Sequence, residues 1–281
     1  MSSILYRGVS YVCFFLAAIS CFAGGGWTQG KSKGYLKLGQ SALIAPNQFT
    51  PLGEIKSIPT ISIYTTSAYL EYGITDRLDV IAYVPLFVRV TQNTQKTVSG
   101  IVQVEGSDKN TFLADTDLSL KYGLAKYGRF KVAVTGTLGL PLGDETEFLQ
   151  TGDGEFNQML SFDVGTSFNS FYANAMVGFN NRTNGFSDEF RAGFEVGYTQ
   201  NKLTGLLRIL NVTSLKNGDE STGDNSESGV FGNNVEFLSV TPEIIYSVKE
   251  SFGVALSFGG AVSAKRILAG PNIAGGLFWK L

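Results

Sequence analysis

Histidine is absent from the 281-residue sequence, and cysteine is nearly so: Cys13 and Cys21 are its two cysteines. Without an imidazole, the chain cannot use Ser-His-Asp or Cys-His hydrolysis, and it cannot build an HExxH zinc site. With both cysteines near the N-terminus, the rest of the chain contains no residue that could form a disulfide. These absences exclude mechanisms that need an imidazole base or ligand, and they exclude a disulfide-stabilised mature chain.

Charge and proline are also scarce, with 16% charged residues, a net charge of −2 and seven prolines. A chain without a basic excess lacks the electrostatic attraction that holds nucleic acid, so we expect no nucleic-acid partner. The hydrophobic and aromatic fractions, 43% and 12%, are too high for a disordered chain. The 34 glycines follow no fibrous repeat, so the composition predicts a folded chain that is unusually rich in glycine.

The first 23 residues have the layout of a secretory signal peptide. Arg7 supplies the positive charge, the apolar run spans Tyr11 to Ile19, and Cys21 and Ala23 are the small residues before the cleavage point. We therefore predict a signal peptide at 1–23 and a mature chain that begins at Gly24 without cysteine. An alternative remains open, in which Cys21 is a lipidated first residue.

Beyond this segment no apolar run reaches 18 residues, so the sequence predicts no spanning helix. Its recurring pattern is instead a strict alternation of apolar and polar residues. From Leu78 to Val88 the even positions are all apolar, and Leu118, Leu120 and Tyr122 alternate with Ser119 and Lys121. Period-two alternation over about ten residues is typical of a strand that crosses a bilayer, with one face toward lipid.

The alternation predicts twelve strands, which approximately span 34–44, 60–73, 78–89, 115–124, 131–141, 158–168, 171–180, 189–198, 203–211, 236–247, 252–263 and 272–281. Long polar connectors at about 45–59, 91–113, 142–157, 180–188 and 212–234 alternate with short ones. This is the pattern of an outer-membrane barrel with short periplasmic turns and longer outer loops. Pro242 lacks an N–H, so we expect a bulge or a missing ladder bond there.

We therefore predict an all-β chain: a transmembrane antiparallel up-and-down β-barrel over 34–281, preceded by a short segment at 24–33. The expected location is the outer membrane of a Gram-negative bacterium, in contact with its lipid. Gly276, Trp279 and Leu281 fit the Gly-x-x-Φ-x-Φ pattern at the C-terminus. This pattern resembles the signal by which barrels engage the barrel assembly machinery, which we therefore expect as a partner.

The polar rows of these strands carry ten titratable residues that we predict to face the lumen, because a charge facing hydrocarbon is costly. They are Glu71, Asp79, Asp117, Lys121, Asp163, Glu189, Arg191, Glu195, Arg208 and Glu243. Two roles remain open for this set. The residues either form a salt-bridged filling that keeps a closed barrel rigid, or they line a pore.

Two segments, 152–155 and 219–227, contain clustered acidic residues that could act as calcium ligands. Neither has the ligand spacing of a DxDxDG loop, and solvated acidic loops are the favoured interpretation. We expect no metal and no cofactor.

Four short segments have a recognisable pattern: 71–78 (EYGITDRL), 114–124 (ADTDLSLKYGL), 138–144 (LGLPLGD) and 151–154 (TGDG). They resemble a family of bacterial outer-membrane barrels, the transporters named for the MetA pathway of phenol degradation, which are distantly FadL-like. The resemblance implies passage of small molecules, hydrophobic ones included. The fatty-acid transporters have more strands and a sizeable N-terminal hatch, for which the segment 24–33 is too short.

Three functions follow as hypotheses. The first is an outer-membrane channel or transporter for small molecules with a narrow polar lumen. The second is a non-conducting barrel whose loops bind a partner or which supports the membrane. The third is a soluble secreted β-sandwich. The barrel enzymes of the outer membrane use histidine or usually rely on it, and this chain has none. We therefore predict no enzymatic activity.

Overall fold

The computed structural model describes residues 25–96, 99–146, 148–219, 222 and 230–281. The predicted signal peptide at 1–23, with Cys21 and Ala23, lies outside the described residues, as does most of the acidic segment 219–227. The described residues contain no helix long and apolar enough to cross a membrane. They form sixteen strands: β1 (Gly34–Phe49), β2 (Ile55–Gly73), β3 (Leu78–Gln92), β4 (Gln95–Lys96), β5 (Val102–Val104), β6 (Ser107–Phe112), β7 (Thr116–Tyr127), β8 (Phe130–Leu140), β9 (Asn157–Phe168), β10 (Phe171–Asn181), β11 (Glu189–Gln200), β12 (Leu203–Ser214), β13 (Glu236–Lys249), β14 (Phe252–Lys265), β15 (Leu268–Ala269) and β16 (Asn272–Lys280).

The long strands close into one antiparallel barrel, which confirms the predicted fold class and the predicted number of twelve strands. Each long strand pairs with its neighbours in the chain, and β1 pairs with both β2 and β16 to complete the ring. The short strands β4, β5, β6 and β15 lie in or beside the longer loops. Closure satisfies the backbone hydrogen-bonding groups of every long strand without leaving an open edge.

The two ends of the barrel differ in the length of their connections. At one end, hairpins such as Asn169-Ser170 join the strands tightly, and Asn169 adopts a positive φ of 51°. We call this the turn end, and the opposite end, which carries the longer connections such as 141–156 and 182–188, the loop end. The segment before β1 lies at the turn end.

Side chains alternate between an outward and an inward face, as the sequence predicts. On β7, Leu118, Leu120 and Tyr122 are exposed on the outside, whereas Lys121 is buried inside. Phe168 and Phe171 pair across their hairpin on the outer face, and the Phe171 ring lies 4.6 Å from that of Tyr198. Exposed apolar rows with aromatic residues near one rim are typical of a barrel that faces lipid.

The predicted register is wrong at Val88, which is buried on the inward face. Thr66 pairs with Phe87 while Ser67 pairs with Pro85, so Leu86 is an extra residue on β3. This bulge reverses the alternation, because one inserted residue moves every later side chain to the other face. Leu78, Val80, Ala82 and Val84 keep the predicted outward orientation.

Two predicted loops are shorter than the sequence suggested. The connector predicted at 45–59 is only 50–54, because β1 extends to Phe49 and β2 begins at Ile55. The connector predicted at 91–113 contains β6, which extends the sheet by pairing with β3. The interruption expected at Pro242 is present: the ladder between β13 and β14 skips from Val240 to Glu243.

Candidate functional site

The ten charged residues predicted for the lumen all occupy inward positions. Glu71, Asp79, Lys121, Asp163, Glu189 and Glu243 are almost fully buried, and the other four are partly buried. Neighbouring strands bring opposite charges together, since Asp79 lies opposite Lys121 and Glu195 lies opposite Arg208. The register therefore gathers these residues into networks inside the barrel.

The first network lies near the turn end and centres on Lys121. Its ammonium group lies 2.5 Å from Glu71 Oε1, and Tyr69 donates a hydrogen bond of 3.0 Å to the other oxygen of Glu71. Asn174 donates to Asp163 across 3.3 Å. One lysine among Glu71, Asp79 and Asp163 leaves this region with an excess of acid.

The second network connects strands on the facing wall. Lys37 contacts Glu243 at 2.8 Å, and Arg208 contacts both Glu243 at 3.3 Å and Glu195 at 2.7 Å. Tyr172 donates a hydrogen bond of 2.8 Å to Glu195. The alternating signs mean that these acids are largely neutralised by the bases beside them.

The third network lies at the loop end around Arg182. This guanidinium contacts Glu155, reaches Glu189 at 3.1 Å, and contacts Asp153 at 3.3 Å. Glu189 also accepts from Arg191 at 2.6 Å. The interpretation of 152–155 as a solvated acidic loop is therefore wrong, because Glu155 is buried and in contact with Arg182.

The loop that carries Asp153 also encloses Asp115, the residue that precedes β7. Asp115 accepts hydrogen bonds from the backbone N–H groups of Gly143 and Asp153 at 2.8 and 3.0 Å. Burial, and then the charge of Asp153, raise the pKa of Asp115 to about 6. Burial raises the pKa of Glu155 to about 8, although Arg182 opposes the shift. Both carboxyl groups therefore favour the protonated form more than carboxyl groups in water do.

The lumen is apolar on one side of the loop end, which corrects the expectation of a polar lumen. Inward side chains of β1, β2, β3, β12, β13 and β14 pack there into one hydrophobic cluster, which includes Leu43, Ile61, Val88, Val90, Leu210, Val212 and Phe237. Leu149, Ile267 and Leu268 from the loops join the cluster. The loops at this end thus fold inward and bury apolar side chains, which the interior of a barrel otherwise leaves without a partner.

Several inward residues were missed by the sequence analysis. Lys37 alternates with Leu36 and Leu38, and this short alternation could have identified it as a fourth inward base. Tyr172 and Asn174 share the polar row of β10 with no charge to draw attention to them. Arg182 lies in a loop, where no alternation exists, and only the three-dimensional contact with Glu155 reveals it.

The C-terminal residues close the barrel. Gly276 occupies an inward position opposite Gly39 of β1, and the Trp279 ring lies 5.4 Å from that of Phe252. Leu281 accepts a backbone hydrogen bond from Gly34 and donates one in return, at 3.2 and 2.8 Å. Among the described residues, no group of three or more cysteine, aspartate or glutamate side chains is arranged to hold a metal ion.

No protein-family model matches the sequence, and no curated protein matches it. Solved structures do match. An outer membrane channel from Pseudomonas putida F1 is similar at a TM-score of 0.64 and 10% identity, covering 92% of this chain and 98% of that one. The NanC porin is similar at a TM-score of 0.53 and 8% identity, covering 88% and 100%. The KdgM porin is similar at 0.50 and 6% identity, covering 87% and 99%. This chain therefore shares the barrel fold of outer-membrane channels and porins.

Proposed function

We propose that this protein is an outer-membrane channel for small molecules, with its turn end in the periplasm and its loop end outside the cell. The observation that carries the proposal is the contrast between the two faces of one closed barrel: exposed apolar rows outside and charged networks inside. Charged side chains on an inward face support a water-filled path rather than a lipid-filled one. The proposed location includes contact with outer-membrane lipid and insertion by the barrel assembly machinery, for which Gly276, Trp279 and Leu281 are the proposed signal.

The proposed solutes are small molecules, and hydrophobic ones are included. The resemblance to the phenol-degradation transporters supports this choice. Twelve strands give a lumen between those of filled eight-stranded barrels and wide sixteen-stranded porins, so the proposed path is narrow.

The test is the conductance of the purified full-length protein in a planar lipid bilayer. We expect discrete, small current steps, since the charged networks leave a narrow path. A matched control is Lys249→Gln, a substitution in an exposed position at the turn end, which should leave the current unchanged. The absence of any current above that of protein-free bilayers would contradict a channel.

A second candidate is a non-conducting barrel that supports the membrane or binds a partner through its loops. The observation that favours it is the extent of pairing inside the lumen, where Arg208 and Arg182 each bridge two or more carboxylates. Such networks also make a closed barrel rigid. A silent bilayer together with a stably folded barrel is the result that this candidate predicts.

A further inference from the structure

The residues that precede β1 run inside the barrel. They are Gly25 to Lys33, and we call them the strap. The strap leaves β1 at the turn end and reaches Asn174 on β10, where Gly26 donates a backbone hydrogen bond of 3.0 Å to Asn174 Oδ1. Around the ring, β10 is six strands from β1 in either direction. The strap therefore crosses the lumen from one wall to the opposite wall.

The middle of the strap is held by the charged network at the turn end. Lys121 donates from its ammonium group to the Trp27 carbonyl at 3.2 Å, and the Gln29 N–H donates to Asp79 at 2.9 Å. The second oxygen of Asp79 has no hydrogen-bond partner among the described residues. Buried charges thus bind the main chain of the strap, and these hydrogen bonds are stronger than neutral ones.

The fit between strap and wall is close enough to require glycine. A Cβ on Gly165 of β9 would lie 2.4 Å from the Trp27 ring, and a Cβ on Gly26 would lie 2.3 Å from the Lys131 carbonyl oxygen. The Trp27 ring also meets Tyr172 edge to face, with 6.3 Å between the ring centroids. The Trp27 indole therefore packs directly against Gly165, where any larger side chain would clash with the ring.

The near end of the strap is tied to the hairpin between β2 and β3. Thr28 donates to the Asp76 carbonyl at 3.0 Å, and the Lys31 N–H donates to the Asp76 carboxylate at 3.1 Å. The Ser32 N–H donates to the Gly73 carbonyl at 2.8 Å. With both ends and the middle bound, the strap has one defined path across the lumen.

We propose that the strap is the constriction of this barrel, that Trp27 is the side chain that narrows it, and that Lys121, Asp79 and Asn174 are its positioning residues. The proposal rests on the proposed channel function for its consequence, which is that the strap limits the size of solutes that pass. It places the narrowest point beside Glu71, Asp79 and Asp163. Cations and neutral solutes are therefore the classes that pass this point most easily.

One consequence is measurable as permeability. In proteoliposomes, Trp27→Ala should raise the single-channel conductance and the rate of swelling in small sugars several-fold. Trp27→Phe, which keeps an aromatic ring, should stay close to the unsubstituted protein. Conductance and swelling that are unchanged by Trp27→Ala would contradict a limiting role for the strap.

A second readout does not depend on conduction. Ser161 is buried on the inward face of β9, one inward position farther from the turn end than Asp163. In the predicted mature chain, which is otherwise free of cysteine, we would measure the rate at which a water-soluble thiol reagent added on the turn-end side of a reconstituted bilayer modifies Ser161→Cys. Glu250→Cys, in an exposed turn, is the control for general reactivity.

Trp27→Ala should accelerate modification of Ser161→Cys several-fold and leave that of Glu250→Cys unchanged. Gly165→Val should have the same effect by displacing the ring, which guards against a folding defect peculiar to one variant. Equal rates in all three backgrounds would overturn the proposal, whatever the conductance. Faster modification in a barrel that never conducts would uphold the strap as the obstruction and refute the channel.

Discussion

The turn end of the lumen and the apolar side of its loop end are built from opposite chemistry, although β2 and β3 contribute to both. At the turn end, Lys121 and Glu71 are buried side by side, whereas at the loop end Leu43 and Val90 are equally buried in an apolar cluster. The difference in polarity matches the segment that packs inside each end. The turn end holds a strap by its polar main chain, and the loop end holds loops by their apolar side chains. Side-chain alternation alone thus defines the inside of a barrel but not its polarity.

The largest expected effect is on orientation, which is an all-or-none property of each residue. A thiol reagent dissolved in the lipid phase should modify Val84→Cys and Leu86→Cys, and it should spare Tyr83→Cys and Val88→Cys. The bulge at Leu86 is the reason that Val88 changes face. Labelling of Val88→Cys from the lipid would show that the bulge is absent.

Removing the buried base at the turn end should cause a large loss of stability. Lys121→Met leaves Glu71 buried beside Asp79 without its base, and we expect a loss of about 3–5 kcal/mol in the free energy of unfolding. Urea unfolding of the detergent-folded barrel, followed by tryptophan fluorescence, measures this loss.

The control for that experiment is the double substitution Lys121→Met with Glu71→Met, which removes both members of the pair and should recover part of the loss. Lys265→Met at the loop end is a matched single change, because its partner Glu236 is also held by Lys216 and the pair is partly exposed. If Lys265→Met lowered the free energy of unfolding as much as Lys121→Met, burial of the ion pair would not explain the effect.

The apolar side of the loop end should respond to loss of volume instead of loss of charge. Leu43→Ala empties a position that is 1% exposed, and we expect it to cost about 2–5 kcal/mol. The adjacent Ile44→Ala changes an outward side chain that is 48% exposed and should cost about 1 kcal/mol or less. Equal losses in the same unfolding assay would contradict the inward apolar cluster.

The smallest effect expected is a pH dependence of the loop that encloses Asp115. The packed loop raises the pKa of Asp115 from 3.8 to about 6, so it binds the proton more tightly than the open loop does. Its packing is therefore strongest below the ordinary pKa and weakens as the pH rises through 6. Hydrogen exchange of residues 141–146, corrected for intrinsic rates, should show several-fold less protection at pH 8 than at pH 5.

Asp115→Asn should remove most of that dependence, because an amide does not titrate, although it keeps only one of the two acceptor oxygens. Glu155, whose pKa is raised to about 8, would account for any dependence that remains above pH 7. An undiminished change between pH 5 and pH 7 in Asp115→Asn would assign the effect to another group.

Much of this fold could be predicted because a strand with one face toward lipid alternates apolar and polar residues along the sequence. Lys121 and Asp163 were found inside the barrel from alternation alone, since no other face can accept a charge in a bilayer. Val88 was misplaced because a bulge shifts the alternation by one residue. Pro85, directly before the extra residue Leu86, is the local signal that could have predicted it.

The strap and the Arg182 network could not be predicted for a different reason. Gly26 and Asn174 are separated by 148 positions in the chain, and a hydrogen bond between a backbone group and an amide leaves no sequence pattern. Arg182 and Glu155 lie in different loops, and their side chains are in direct contact. Contacts of this kind depend on the closed ring of strands, which has to exist before they can be formed.

The most direct test of a charged water path through this barrel is the reversal potential of the reconstituted protein under a KCl gradient. The constriction carries Glu71, Asp79 and Asp163 against Lys121. Lys131, which pairs with Gly165 beside the strap, and Lys37, which contacts Glu243, reduce this acid excess. We therefore expect a modest preference for cations that fades as salt rises, since the Debye length is roughly 10 Å at 0.1 M. Asp163→Asn should weaken the preference. A preference for anions, or the absence of any current, would contradict the account.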